Sequence, residues 1–198
     1  MSRAVFYYDL GSPYAYLAAE RVNSLFAAAA GEPPEWQPVL LGALFARFGR
    51  DSWAHGPERE DGMREVERRA SAYGLPPLSW PDPFPGNTLL AMRAATYAKE
   101  IGRAVSFSLA AFRQAFAAGK DLTDPDNVLL AAAAAEIHPR ALLAAVKRDS
   151  VKSALRAATE RAAEAGTFGV PTVIVGKEAF WGDDRVDEAA KAAARIRA

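Results

Sequence analysis

The sequence predicts an α/β fold in which a β-α-β unit and a β-β-α unit are separated by a long helical segment. Two observations carry this prediction. Runs of β-branched and aromatic residues lie near the two ends of the chain, each beside a helical pattern, whereas residues 44–166 are dominated by alanine, leucine and arginine. A chain of 198 residues is long enough for one compact domain, or for a small domain that carries a large insertion.

The first unit is predicted to be strand, helix, strand. The run AVFYYDL (4–10) is typical of a buried strand. Apolar residues then recur at helical spacing from Pro13, which is tolerated in a first turn, and we expect this helix to end at Gly31. The run EWQPVLLG (35–42) predicts a second strand at a sheet edge, because Pro38 has no N–H to donate to a ladder.

The middle of the chain is predicted to be helical. Asp124-Pro125 and His138-Pro139 indicate helix starts, since proline suits the first helical position. Helix-surface ion pairing is expected for Arg64, Glu65, Arg68 and Arg69. Breaks between helices are expected at GPEREDG (56–62), GLPPLSWPDPFPGN (74–87), GKDLTDPDN (119–127) and HPR (138–140).

The end of the chain returns to β structure. We expect a strand at 172–175, a turn at 176–177, a short strand near 179–181 and a last helix from about Val186. The resulting order, β-α-β, then helices, then β-β-α, is that of a thioredoxin-like fold with a large inserted all-helical domain. The predicted domains are therefore residues 1–43 with 164–198, which form a discontinuous thioredoxin-like domain, and residues 44–163, which form the insertion.

Composition excludes several classes of function. Lysine and arginine together number 24, as do aspartate and glutamate, so no excess charge favours nucleic acid or an anionic membrane. The absence of cysteine excludes disulfides and protein-borne thiol chemistry, and two separated histidines make a metal site improbable. With no signal-like start and no long apolar run, we expect a cytoplasmic protein without membrane contact.

Ser12 lies at the junction between the first strand and the first helix. Backbone N–H groups and the positive end of the helix dipole favour an anion there, and they lower the pKa of a nearby thiol. From the spacing alone, a plain helix cap is the favoured interpretation of Ser12-Pro13.

Three further motifs carry a functional and a structural interpretation each. FGVPT (168–172) places an X-Pro bond at a strand entrance, where backbone groups can pair with an extended peptide, or where Pro171 is an ordinary strand-entry proline. FWGDDR (180–185) offers carboxylates and a guanidinium, or a solvated helix cap. In DPFPGNT (82–88), Thr88 is favoured as a helix cap, whereas Asn87 is a candidate for a cleft residue.

These motifs together resemble the family of 2-hydroxychromene-2-carboxylate isomerases and kappa-class glutathione transferases, a DsbA-like branch of the thioredoxin-fold proteins. The resemblance spans essentially the whole chain. It rests on FYYDLGSPYAYLA, LLGALF, PFPGNT, GTFGVPT and FWGDDR, which occur in the family's order and spacing.

The resemblance implies a glutathione-dependent isomerase that acts on a small conjugated, aromatic-derived substrate. Ser12 would occupy the first-cysteine position of a redox motif and stabilise the thiolate of bound glutathione. That thiolate would add reversibly to a conjugated enone-carboxylate, so that the double bond can rotate, and glutathione would be returned unchanged. The resemblance also implies a homodimer.

The same resemblance implies a set of ligand contacts. Val170 and a cis Pro171 would pair with the glutathione backbone, and the Gly182–Arg185 turn would hold its γ-glutamyl end. The implied glutathione-binding residues are Ser12, Asn87, Val170, Pro171, Trp181, Gly182, Asp183, Asp184 and Arg185, and the substrate cleft would include Tyr14 and Arg59.

Two departures from the family pattern leave other functions open. Glu58 stands where the family has a ligand-contacting lysine, with Arg59 adjacent, and Asp183 replaces an uncharged residue and adds negative charge near an anionic substrate. The alternatives are a kappa-like glutathione transferase and a thioredoxin-fold binding protein without turnover. A dithiol oxidoreductase is excluded because the chain has no cysteine.

Overall fold

The computed structural model describes residues 3–197, so the ends of the predicted outer domain at residues 1, 2 and 198 lie outside it. The β-α-β unit consists of β1 (Val5–Tyr8), α1 (Pro13–Ala30) and β2 (Glu35–Pro38), and the β-β-α unit of β3 (Thr172–Val175), β4 (Glu178–Trp181) and α9 (Val186–Arg197). Between them lie α2 (Leu41–Phe48), α3 (Arg59–Ala72), α4 (Leu89–Glu100), α5 (Ala104–Phe116), α6 (Pro125–Ala134), α7 (Pro139–Ala145) and α8 (Asp149–Glu164).

The four strands form one mixed sheet in the order β2-β1-β3-β4. β1 runs parallel to β2 and antiparallel to β3, and β4 returns antiparallel to β3. Pro38 therefore lies on an edge strand, as predicted. The α/β fold class and the thioredoxin-like order of elements are confirmed.

Several predicted helix ends are confirmed at the level of single residues. Ser12 is the N-cap of α1, and Gly31 ends that helix with a φ of 78°, a conformation that glycine adopts at low cost. Asp124 and His138 cap α6 and α7, and a proline follows each of them at the first helical position. These ends follow from local chemistry.

Two predicted boundaries are wrong. The second strand ends at Pro38 rather than at residue 42, because α2 begins at Leu41. The break at 56–62 is also shorter than predicted, since α3 begins at Arg59 and includes Gly62. A Cβ at Gly62 would lie 2.2 Å from the ring of Trp53, so this glycine leaves the space in which the indole packs.

Aromatic side chains join the sheet to the helical segment. The rings of Phe6 and Trp36 are 5.0 Å apart at their centroids, and the Tyr8 ring is 5.9 Å from that of Phe112 on α5. Tyr8 also makes a buried 2.6 Å hydrogen bond to the hydroxyl of Ser108. The end of β1 and the start of α1, between which Ser12 lies, are thus held on one packed core.

No helix in the described part of the chain is long and apolar enough to cross a membrane. The division into an outer domain and an inserted domain stays a prediction.

Candidate active site

A pocket of about 840 Å³ opens where β1 ends and α1 begins. Its wall combines the β1–α1 connection, α2, residues 50–58, the loop before α4, the turn before β3 and the residues after β4. This volume is typical of small-molecule sites. The predicted site residues in the wall are Ser12, Tyr14, Val170, Pro171, Trp181, Gly182, Asp183, Asp184 and Arg185.

Ser12 is both a helix cap and a pocket residue. Its Oγ accepts a hydrogen bond from the backbone N–H of Ala15 at 3.2 Å, and its side chain is buried. Among the residues that the structure describes, no group accepts the hydroxyl proton of Ser12. The hydroxyl is therefore able to donate to an anion in the pocket while it caps α1, an 18-residue helix whose dipole also favours negative charge.

Asp9 is a functional candidate that the sequence analysis missed. Its Oδ1 accepts from the N–H of Gly11 at 2.9 Å and from the hydroxyl of Thr88 at 3.0 Å, and its Oδ2 accepts from the N–H of Leu41 at 2.8 Å. Burial raises the pKa of this carboxyl, although the three hydrogen bonds oppose that shift. The available signal was an aspartate at the end of a buried strand.

The turn before β3 presents free backbone groups to the pocket. The Val170–Pro171 peptide bond is cis, and the carbonyl of Pro171 accepts from the N–H of Gly182 at 2.9 Å. Within residues 3–197, the N–H and carbonyl of Val170 find no hydrogen-bond partner. Unpaired main-chain groups of this kind are available to an extended peptide.

The residues after β4 form a tight turn at the pocket edge. Gly182 has a φ of 116°, and a Cβ there would lie 2.4 Å from Oδ1 of Asp184, so the position requires glycine. The Asp184 carboxylate is 59% exposed and lies 3.8 Å from Arg69. The guanidinium of Arg185 is already paired with Glu188 at 2.5 Å.

Asp183 points away from solvent, and its charge is compensated. The carboxylate accepts from Arg69 at 2.9 Å and from the Tyr73 hydroxyl at 2.9 Å. Burial raises the pKa of Asp183, whereas Tyr73 and Arg69 act against that rise. Burial and the adjacent carboxylate together raise the pKa of Tyr73 to about 12. The predicted pairing of Arg69 on α3 is confirmed by its 2.8 Å bond to Glu65, and Arg69 also pairs with the buried Asp183, which the sequence analysis did not predict.

The structure does not bring Asn87 and Arg59 into the pocket wall. Oδ1 of Asn87 accepts from the N–H of Leu89 at 3.0 Å, so Asn87 supplies the capping bond of α4 that was predicted for Thr88. Arg59 donates from Nη2 to the carbonyl of Phe84 at 3.0 Å. Oδ1 of Asn87 and the Nε and Nη2 groups of Arg59 are thus bonded within the protein.

Aromatic side chains give the pocket an apolar wall. Tyr14 is half-buried, and its ring lies 6.1 Å from that of Trp53. Burial raises the pKa of the Tyr14 hydroxyl, with a smaller opposing effect from Arg69. Trp181 is 43% exposed and packs 4.9 Å from Phe168. No group of three or more His, Asp or Glu side chains in residues 3–197 is placed to hold a metal ion.

Comparison with known proteins places these features in context. Residues 4–194 match the family model of the DSBA-like thioredoxin domain. The chain is 30% identical over 185 residues to a 2-hydroxychromene-2-carboxylate isomerase from Sphingobium xenophagum, which covers 92% of this chain and 93% of that protein.

Two solved structures share the fold. A 2-hydroxychromene-2-carboxylate isomerase superposes with a TM-score of 0.87 at 23% identity, over 98% of this chain and 95% of the other. A probable DsbA oxidoreductase from Streptomyces coelicolor gives a TM-score of 0.74 at 22% identity, over 99% and 91% of the two chains.

Proposed function

This chain belongs to the DSBA-like thioredoxin domain family, and from that premise we propose that it is a glutathione-dependent isomerase of the 2-hydroxychromene-2-carboxylate isomerase type. The name of the 30% identical relative supports the reaction class. The complete absence of cysteine supports a borrowed thiol, because a dithiol oxidoreductase needs two sulfurs of its own.

The observation that carries the proposal is the hydrogen bonding of Ser12. Its oxygen accepts from the N–H of Ala15, so its hydroxyl proton is available to whatever occupies the pocket. A serine held in this way stabilises an anion and does not itself require activation as a nucleophile. No cationic or basic side chain of the described residues is bonded to its hydroxyl.

The pocket residues fit a tripeptide thiol. Val170 offers an unpaired N–H and carbonyl for the peptide backbone, and the exposed Asp184 carboxylate suits an α-amino group. Gly182 keeps the approach to Asp184 open, because a side chain there would collide with that carboxylate. Asp183 is given no direct ligand contact in this proposal, because its side chain is buried against Arg69 and Tyr73.

Glutathione, when bound, supplies a thiolate able to add reversibly to a conjugated double bond and thereby permit rotation about it. The protein's part is to lower the pKa of that thiol and to orient the substrate. Ser12 donates a hydrogen bond to the thiolate, and the positive end of the α1 dipole also stabilises its negative charge. Tyr14, Trp53 and Trp181 provide flat apolar surfaces for an aromatic-derived substrate.

Replacement of Ser12 tests the proposal. We expect Ser12→Ala to raise the pKa of bound glutathione and to lower kcat for isomerisation of 2-hydroxychromene-2-carboxylate by about 100-fold, as loss of one preorganised donor does. Calorimetry with glutathione, the ultraviolet absorbance of the thiolate against pH, and steady-state kinetics measure these effects. Asp124→Ala is the matched control, because it removes the N-cap of α6 and Asp124 does not line the pocket.

The outcomes separate the alternatives. No glutathione binding by the wild-type protein would contradict the proposal. Binding without turnover favours a thioredoxin-fold binding protein, and conjugation of chlorodinitrobenzene without isomerisation favours a kappa-like glutathione transferase. The proposal includes a homodimer, which sedimentation analysis tests separately.

A further inference from the structure

Arg50 is a cationic side chain of the pocket wall whose charge is not paired. Three arginines line the pocket, namely Arg50, Arg69 and Arg185. Arg69 is paired with Glu65 at 2.8 Å and with Asp183 at 2.9 Å, and Arg185 is paired with Glu188 at 2.5 Å. Arg50 forms no ion pair and no side-chain hydrogen bond with any residue in the described part of the chain.

Arg50 is nevertheless held in a defined place. Its guanidinium lies 5.1 Å from the ring centroid of Phe168 and 5.0 Å from that of Trp181. Its backbone N–H donates to the carbonyl of Phe45 at 2.9 Å, at the end of α2. Contact with two aromatic rings uses none of the N–H groups of a guanidinium in hydrogen bonds to protein acceptors, so they are available for a carboxylate.

The other charges around the pocket make the Arg50 guanidinium important for binding an anionic ligand. Exposed carboxylates of Asp51, Glu58 and Asp184 line the same wall, and they repel an anionic ligand. Arg59, which the sequence favoured as the cation of the cleft, donates to the Phe84 carbonyl instead. A carboxylate that enters the pocket therefore meets a free guanidinium at Arg50.

We infer that Arg50 binds a carboxylate of the ligand by paired hydrogen bonds and so makes the pocket selective for an acid over its ester. The inference rests on the proposed function, which offers two sources of that carboxylate, the glycyl end of glutathione and the acid group of the substrate. It goes beyond that function because it assigns the carboxylate site to Arg50, whose guanidinium contacts Phe168 and Trp181.

Acid and ester pairs distinguish the two sources. Calorimetry compares glutathione with its glycyl ethyl ester, and 2-hydroxycinnamate, as an aromatic acid probe, with its methyl ester. In at least one pair, the wild-type protein should bind the acid about tenfold or more tightly, since a charge-assisted hydrogen bond contributes at least that factor. Arg50→Leu should abolish this preference without weakening the ester, and Arg50→Lys should restore part of it.

Arg47→Leu is the matched control, because Arg47 is an exposed arginine on α2 outside the pocket wall. Loss of preference in the glutathione pair assigns the site to the glycyl carboxylate, and loss in the cinnamate pair assigns it to the substrate. An acid preference that survives in Arg50→Leu, or that is absent from both pairs in the wild-type protein, overturns the inference. If the wild-type protein binds no glutathione, the proposed function fails, while the cinnamate pair still tests Arg50.

Discussion

Asp9 connects three parts of the pocket wall through one carboxylate. Its two oxygens bind the N–H of Gly11 beside Ser12, the N–H of Leu41 at the start of α2, and the hydroxyl of Thr88 before α4. Because the carboxylate is buried and has no paired cation in the described residues, these hydrogen bonds are what compensate its desolvation. Asp9 is thus a positioning residue for Ser12 and for the facing loops.

Asp9→Ala should lower the free energy of unfolding by about 2–4 kcal/mol, because it leaves buried donors without an acceptor. Urea unfolding measures this loss. Asp9→Asn keeps one acceptor oxygen and should cost less. The control is Asp51→Ala, an exposed aspartate in the same pocket wall, which should change stability by no more than about 0.5 kcal/mol. Equal effects of Asp9→Ala and Asp51→Ala would contradict the role given to Asp9.

At the scale of elements, α3 is joined to the turn after β4 by a buried ion pair. Arg69 on α3 and Tyr73, the C-cap of that helix, both donate to the Asp183 carboxylate. Arg21 on α1 donates to the Asp183 carbonyl at 3.2 Å. The turn that carries Asp184 is therefore fastened to two helices. The charge at 183 is part of the scaffold and is not presented to the ligand.

Arg69→Met should destabilise the protein by about 3 kcal/mol, because it leaves the buried Asp183 carboxylate without its cation. Arg68→Met is the matched control on the same helix. Arg68 is exposed and bonds to Glu65, so its loss should cost less than about 1 kcal/mol. Adding Asp183→Asn to Arg69→Met should recover part of the stability. A double variant as unstable as the sum of both single variants would argue against the pairing.

At the scale of the whole molecule, one hydrophobic core runs through the sheet units and the helices between them. It includes Phe6 and Val173 from the sheet, Phe26 from α1, and Met92 and Phe112 from the helical segment. The proposed division into two domains is thus a division of topology, in which the two parts share buried side chains.

We expect urea to unfold the chain in a single transition. The four tryptophans report on both parts, because Trp36 and Trp181 lie in β2 and β4, whereas Trp53 and Trp80 lie in the helical segment. Tryptophan fluorescence and far-ultraviolet circular dichroism should therefore give coincident curves. Two separate transitions would instead indicate that residues 44–163 fold as an independent domain.

Local sequence chemistry alone determined much of this protein. Three helix starts are determined by a capping residue followed by proline, namely Ser12-Pro13, Asp124-Pro125 and His138-Pro139. Both residues affect only the first turn of the helix, so the effect depends on local sequence alone. The presence of the strands, their order along the chain and the absence of a thiol could also be determined from the sequence. The motif resemblance brought Ser12, the Val170–Pro171 turn and the residues after β4 into one expected site.

Tertiary structure decided which charged side chains are available at the pocket. Asp9 meets residues 32 and 79 positions away, and Arg69 meets Asp183 across 114 positions, so no local pattern could reveal either contact. Arg50 and Arg59 are near neighbours in sequence, but Arg59 donates to a carbonyl, whereas the Arg50 guanidinium lies about 5 Å from two aromatic rings. No local pattern distinguishes them. Folding pairs some charged side chains with partners in the protein and leaves others unpaired. Only the unpaired ones are available to bind a charged group in the pocket.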